Sequence, residues 1–229
     1  MNINPHSIPT FSLGINEAIA DSTISPRLSC GPLKTKLPDV FFHHLLNVTD
    51  QEIEEKTHDL THGIVARVYN GKGSYQIRDR VSIDFKQFLI DCSERYKELL
   101  GISSSLSKKE DMPKLQIDNI WTISQGASDY NPLHWHYGKL SGVIYLKVPP
   151  QIIDGSEEKA KMFGGSSTCL DGKMEFIYWP SHPFSYFSQG SAAITPIEGD
   201  MYIFPAWLPH TVYPFKGEGE RRIVSFNLT

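Results

Sequence analysis

The chain has 229 residues, with 22 basic against 26 acidic side chains, a formal net charge of -4, and 40% hydrophobic residues. That length suits a single domain, 1–229, and the composition can fill a core, which excludes a disordered chain or a small disulfide-stapled scaffold. The acidic balance excludes the broad positive field of a nucleic-acid binder, and no apolar run approaches the ~20 residues of a membrane span; with no export signal visible either, a soluble cytoplasmic protein is expected.

Thr49-Asp50-Gln51-Glu52 has capping-box spacing, so a first helix is expected to start there and to stop by Gly63. Phe85, Phe88, Leu89, Cys92, Tyr96, Leu99 and Leu100 recur at three- and four-residue spacing between Asp84 and Gly101, which predicts a second helix with one apolar face. The polar stretch 103–111 reads as a loop, and the boundary falls there: residues 1–112 form an N-terminal helical elaboration and 113–229 a sheet-rich module. From Lys114 the period becomes two, with Leu115, Ile117, Trp121 and Ile123 on one side and Gln116, Asp118, Thr122 and Ser124 on the other. Further strands are expected at 140–148, 167–170, 175–178, 192–195, 200–204 and 221–228. Short strands bounded by turn residues suit an antiparallel jelly roll rather than alternating βαβ units. The fold class is therefore mainly β, with N-terminal helices packed on one sheet. Cys30, Cys92 and Cys169 form no CxxC pair, so neither a disulfide framework nor a thiolate zinc site is indicated.

Three segments carry candidate chemistry. In Asn131-Pro132-Leu133-His134-Trp135-His136, residues two apart on an extended chain face the same way, so His134 and His136 converge while Trp135 turns aside. Neutral imidazole is a common metal ligand. Gly199 to His210 supplies a turn, an apolar strand, a Pro-bounded bend and a terminal His210, suited to presenting a third ligand from a late strand. The last segment, Glu220-Arg221-Arg222-Ile223-Val224-Ser225-Phe226-Asn227, opens a closing strand with a cation eleven residues after His210. Alternation puts Arg221 on one face with Ile223, Ser225 and Asn227, and Arg222 on the other with Val224, Phe226 and Leu228. A guanidinium is a fixed fork for a carboxylate, and Arg221 is the favoured anchor.

In this order and spacing, HWH followed by LSGVIYL, then GDMYIFPAWLPH and ERRIVSFN, the stretch from Ile120 to Asn227 resembles the iron(II)- and 2-oxoglutarate-dependent oxygenases, and among them a group related to prolyl hydroxylases. The resemblance implies a double-stranded β-helix, a cupin-like jelly-roll barrel. It implies that His134, His136 and His210 hold Fe(II), that Arg221 binds the distal carboxylate of 2-oxoglutarate, and that a small-molecule or peptidyl substrate is hydroxylated with O2 at the barrel mouth. Tyr145 and Ser225 are the further candidate contacts to the co-substrate. The family's widespread pattern has Asp or Glu where His136 stands.

Other readings remain at this level. A three-histidine cupin-type enzyme without 2-oxoglutarate and a non-enzymatic metal-binding barrel both fit the histidines; only the oxygenase needs a buried cation facing them. Asp129, Tyr130 and Asn131 suit either a turn that aims the strand or a contact to co-substrate. His58 and His62 read as a solvated helix end, the adjacent His43 and His44 as no ligand pair, and the aromatic run 176–187 as a connection packed on the barrel or, alternatively, a lid over the substrate mouth. Residues 71–74 and 164–167 read as turns.

Overall fold

Pro38 fixes the backbone where the first helix begins, and Asp39 places a negative charge in its first turn, as the helix dipole favours. The computed structural model describes residues 23–24, 31–100, 114–153, 170–178 and 190–229. Helix α1 (Asp39–Glu55) buries Phe41, Leu45, Val48 and Glu52 on one stripe and ends at Lys56 in the left-handed conformation. The start expected at Thr49 is therefore ten residues late. Thr49 and Glu52 are not a capping box but part of the buried stripe: the Thr49 hydroxyl donates to Leu46 O at 3.1 Å, and Glu52 accepts the His58 N–H at 2.8 Å and pairs with Arg80. Helix α2 (Ile83–Leu99) is capped by Ser82, whose oxygen accepts the Phe85 N–H at 3.2 Å, and it buries Phe85, Phe88, Leu89, Cys92 and Tyr96.

The strands are β1 (Thr23–Ile24), β2 (Leu33–Lys36), β3 (Gly73–Gln76), β4 (Ile117–Gln125), β5 (Asn131–His134), β6 (Leu140–Lys147), β7 (Met174–Ile177), β8 (Ser191–Ile194), β9 (Asp200–Pro205), β10 (His210–Val212) and β11 (Arg221–Leu228). They form a seven-stranded sheet in the order β1-β2-β9-β6-β11-β4-β3 and a four-stranded sheet in the order β5-β10-β7-β8, antiparallel throughout. This is the expected jelly roll, although among the described residues the two sheets stay separate and do not close into one barrel. Residues 1–112 are also more than a helical layer, because β1 to β3 extend the large sheet on both flanks. The four-residue runs LKTK and GSYQ are too short to announce themselves by alternation. The expected strand 167–170 as far as residue 169, the loop 103–111, the turn 164–167, the aromatic run beyond residue 178, and Cys30 and Cys169 lie outside the described residues, and Leu170 belongs to no strand.

Each face of the large sheet is covered. On one, Ile120, Ile144, Met201, Val224, Phe226 and Leu228 pack against the apolar stripes of α1 and α2. On the other, Trp121, Ile123, Val143, Tyr145, Phe204 and Ile223 meet Met174, Phe176 and Val212 of the small sheet. Hence β4 is buried on both sides, and its polar positions Thr122 and Ser124 are fully buried rather than solvated. Thr122 satisfies its hydroxyl on Ile223 O at 2.9 Å. Among the described residues, no helix is long and apolar enough to cross a membrane.

Candidate active site

Pairing of β10 with β5 sets His210 directly opposite His134, and the turn after β5 brings His136 to the same point, its N–H donating to Ala206 O at 2.8 Å. One ligand nitrogen from each of the three lies within 4.8 Å of the others, and His136 Nε2 is 3.3 Å from His210 Nε2. His134 Nδ1 bonds Pro132 O at 2.7 Å and His210 Nδ1 bonds Leu208 O at 3.0 Å. A carbonyl only accepts, so each Nδ1 carries the proton and each Nε2 keeps its lone pair for the centre. Burial holds all three imidazoles below their ordinary range: His134 is lowered, His136 falls to about 4 with help from the charge of His134, and His210 falls to about 3. They are neutral at physiological pH, the form that binds a metal.

The three histidines line one cavity of about 390 Å³, and its wall also includes Arg221, Tyr145 and Ser225. The strand register explains the layout. Along β11 the inward positions Arg221, Ile223, Ser225 and Asn227 pair with Gln125, Ile123, Trp121 and Asn119 of β4. Trp121, level with Ser225, has its ring 5.9 Å from that of His136. Arg221 therefore lies four residues, about 13 Å along the strand, from the histidine level. Tyr145 stands between, opposite Ile223 on the neighbouring strand. Burial, with the charge of Tyr202 beside it, pushes the Tyr145 phenol upward, so it stays a donor.

Arg221 is 1% exposed. Its Nε and Nη2 donate to Gln125 Oε1 at 3.2 and 2.9 Å, its Nη1 donates to Gly172 O and Tyr213 O at 2.9 Å each, and Nη2 approaches Asp129 O at 3.5 Å. Among the described residues, every hydrogen-bond partner is a neutral oxygen. Burial draws its pKa down to about 10, which leaves it cationic. Arg222 faces the opposite way, against α1, where Glu220 takes Nε and Nη2 at 2.7 and 3.0 Å and Asp50 and Thr49 take Nη1.

Asp129 is fully buried and is not part of the three-histidine group among the described residues. Its Oδ1 accepts the N–H groups of Tyr69 and Asn70 at 2.7 and 3.0 Å, and its Oδ2 those of Gly71 and Gly126 at 2.7 and 2.8 Å. Gly71 and Gly126 lie where the two segments touch: a Cβ on Gly71 would sit 2.1 Å from Ser124 O, and one on Gly126 would sit 2.6 Å from Asn70 O. Asp129 thus clasps the N-terminal segment to the strand that leads into the histidines, which is the turn role. His58 sits beside Glu52, and His44 accepts the Ser82 N–H; neither joins a metal-ligating group among the described residues. Sequence reasoning missed Gln125, which bonds Arg221 and donates its Nε2 to Asn131 Oδ1 at 3.0 Å. The available signal was parity, since Gln125 continues the Trp121 and Ile123 face.

Residues 119–227 match a family described as "Putative 2OG-Fe(II) oxygenase". No curated protein matches the chain. Among solved structures, a prolyl-4-hydroxylase from Pseudomonas putida is 11% identical with a TM-score of 0.51, over 94% of this chain and 96% of that one. SnoN, a non-heme alpha-ketoglutarate-dependent epimerase of nogalamycin biosynthesis, is 12% identical with a TM-score of 0.54, over 94% and 80%. HygX from Streptomyces hygroscopicus, solved with nickel and 2-oxoglutarate bound, is 10% identical with a TM-score of 0.51, over 86% and 82%. At such identities the structural likenesses establish the shared fold.

Proposed function

Because its jelly-roll half belongs to the iron(II)- and 2-oxoglutarate-dependent oxygenase family, we propose that this chain, working as one domain, hydroxylates a small-molecule or peptidyl substrate with His134, His136 and His210 holding Fe(II) and Arg221 anchoring 2-oxoglutarate. The observation that carries the site assignment is the coexistence, in one cavity, of three neutral convergent imidazoles and a buried guanidinium that has no carboxylate partner among the described residues. The donor set fits the metal: three nitrogens, two of them with Nδ1 tied to main-chain carbonyls, leave part of the coordination sphere open.

When bound, the iron with its co-substrate and O2 supplies an oxidant for a substrate C–H bond. The protein's own residues bind and orient. His134 and His210 present fixed Nε2 lone pairs from a paired strand, and His136 completes the face from the following turn. Three neutral ligands leave both charges of a divalent ion uncompensated, which suits a dianionic co-substrate. Arg221 receives the distal carboxylate as a charge-assisted, forked contact. Tyr145 and Ser225, on the wall between the guanidinium and the histidines, offer hydroxyls to the same molecule. Ile123, Ile223 and Val143 make the middle of the cavity apolar and keep water out.

A three-histidine enzyme that uses no 2-oxoglutarate has no need of Arg221 in this cavity, and that separates the readings. Succinate formation measured with Fe(II), ascorbate and limiting 2-oxoglutarate tests the proposal: slow turnover is expected from the native chain, none from His210→Ala, and roughly ten- to a hundredfold less from Arg221→Ala. A metal-loaded native chain that neither binds nor consumes 2-oxoglutarate overturns it.

A further inference from the structure

Arg221 and Arg222 use the same fork, Nε with Nη2, on unlike partners. For Arg222 the fork is closed by the Glu220 carboxylate, at 2.7 and 3.0 Å. For Arg221 it is closed by one uncharged oxygen, Gln125 Oε1, at 3.2 and 2.9 Å. The Nη1 side of Arg221 is held by Gly172 O and Tyr213 O, which are main chain and cannot turn away; Asp129 O, at 3.5 Å from Nη2, is main chain too. Among the described residues, Gln125 is the one acceptor on this guanidinium that a side-chain rotation can remove. It lines the cavity together with Arg221 and stands directly opposite it on the neighbouring strand.

The orientation of the Gln125 amide is set by Arg221, which offers only donors: the Gln125 oxygen has to face the guanidinium, and its Nε2 then donates to Asn131 Oδ1 at 3.0 Å. The main-chain carbonyl of Asn131 separately accepts the Thr211 hydroxyl at 2.9 Å. Asn131 opens the strand that ends at His134, and Thr211 follows His210.

We propose that Gln125 is a neutral placeholder: it fills the Arg221 fork in the empty enzyme, spares the buried cation two unmet donors, and gives way to the co-substrate carboxylate. This positioning role rests on the reading that Arg221 anchors 2-oxoglutarate. The physical reason for an amide is charge. A glutamate of the same shape would neutralise the guanidinium permanently, as Glu220 does for Arg222, and the cavity would lose the uncompensated charge that attracts an anion. An apolar side chain would leave the fork vacant, costing the empty protein a buried hydrogen-bond pair while removing the competitor for the incoming carboxylate.

The two substitutions therefore move stability and affinity in opposite directions, which a merely structural glutamine would not do. The experiment is a calorimetric titration of 2-oxoglutarate into the full chain loaded with Mn(II), with melting curves of the same samples before addition. Gln125→Glu is expected to melt at or above the native temperature yet bind 2-oxoglutarate roughly ten- to a hundredfold more weakly, the value of a lost charge-assisted fork. Gln125→Met is expected to melt lower and bind at least as tightly as the native chain. Native affinity in Gln125→Glu overturns the placeholder, as does parallel loss of stability and affinity in Gln125→Met; if the methionine variant does not fold, the glutamate variant decides. A native chain that binds no 2-oxoglutarate, unchanged by Arg221→Ala, strikes the proposed function instead.

Discussion

Arg221 and Arg222 are chain neighbours on one strand, each only 1% exposed, yet they live in opposite electrostatic worlds. Behind β11, Arg222 ties the sheet to α1 through Glu220, Asp50 and Thr49, so its charge is cancelled where it stands. In front, Arg221 faces a cavity with three histidines and, among the described residues, meets amide and main-chain oxygens and the ring of Phe215, 5.5 Å from its guanidinium carbon, with no carboxylate in hydrogen-bond reach. Burying a cation without a counter-ion costs stability. The contrast between the faces teaches that the front charge is kept open for something that arrives, and that the back charge is mortar.

Asp129 gives the sharpest way to break this contrast, since it is the buried carboxylate nearest Arg221. All four hydrogen bonds to its carboxylate come from main-chain N–H groups, so it acts on the guanidinium through its charge and not as a hydrogen-bonded partner. Asp129→Ala strands those donors and should cost about 4 kcal/mol in urea unfolding, while bound metal stays at one ion per chain. An Asp129→Ala protein that is stable but empty of metal would make Asp129 a ligand and dissolve the division between faces.

A second test concerns the front face alone. His136→Ala removes one of three donors, and iron affinity should fall by more than roughly a hundredfold, beyond what loss of an outer-sphere partner costs. His136→Asp keeps a donor at that position and should retain measurable Fe(II) in an anaerobic titration. If His136→Ala binds iron as well as the native chain, the convergence of the three rings has another purpose.

The arginines themselves should show crossed effects. Arg221→Ala is expected to weaken 2-oxoglutarate by ten- to a hundredfold, about 1.5–3 kcal/mol. Arg222→Ala should leave that affinity within a factor of about two and instead lower unfolding stability by about 2 kcal/mol, because Glu220 and Thr49 lose their partner. Equal effects of the two changes on binding would mean that strand parity does not separate them.

Much of this front-and-back arrangement was legible in the chain. The period of two along 221–228 assigns Arg221 to the face of Ser225 and Asn227, and the spacing of His134 and His136 sets both rings on one side; neither inference needs a partner strand. What parity cannot supply is the identity of whatever lies across a strand or a layer. Arg222 with Asp50, or Gln125 with Arg221, joins residues about a hundred or more positions apart, and only the fold makes them neighbours. Local signals also misled where tertiary packing outweighed them. Thr49 to Glu52 has the chemistry of a helix start, but Thr49 and Glu52 serve as polar contacts on a buried helical stripe, because Arg222 and Arg80 wait on the other side.

The smallest expected effect lies at the back face and depends on pH. For Glu220, burial alone would raise the carboxyl, but hydrogen bonds from Arg222 and Ser124 and the charges of Arg222 and Lys147 outweigh it and hold it below 4.5. Asp50 is likewise held below 3.8: burial raises it, and the hydrogen bond and charge of Arg222, then Lys147, bring it down. A carboxyl with a depressed pKa in the folded state binds fewer protons there than in the unfolded chain. Its contribution is therefore complete above about pH 4.5 and disappears as pH falls through the folded values, below those of free carboxyls. In Arg222→Met both carboxyls lose the cation that depresses them, so the fall in urea midpoint between about pH 5 and pH 3 should be shallower than in the native chain. Asp50 is more than half exposed, so solvent screens its share and Glu220 dominates the difference. The same comparison made with Gln125→Met should leave this acid limb unchanged, since no carboxylate closes the Arg221 fork; a shallower limb there as well would show that the two faces of β11 titrate as one network.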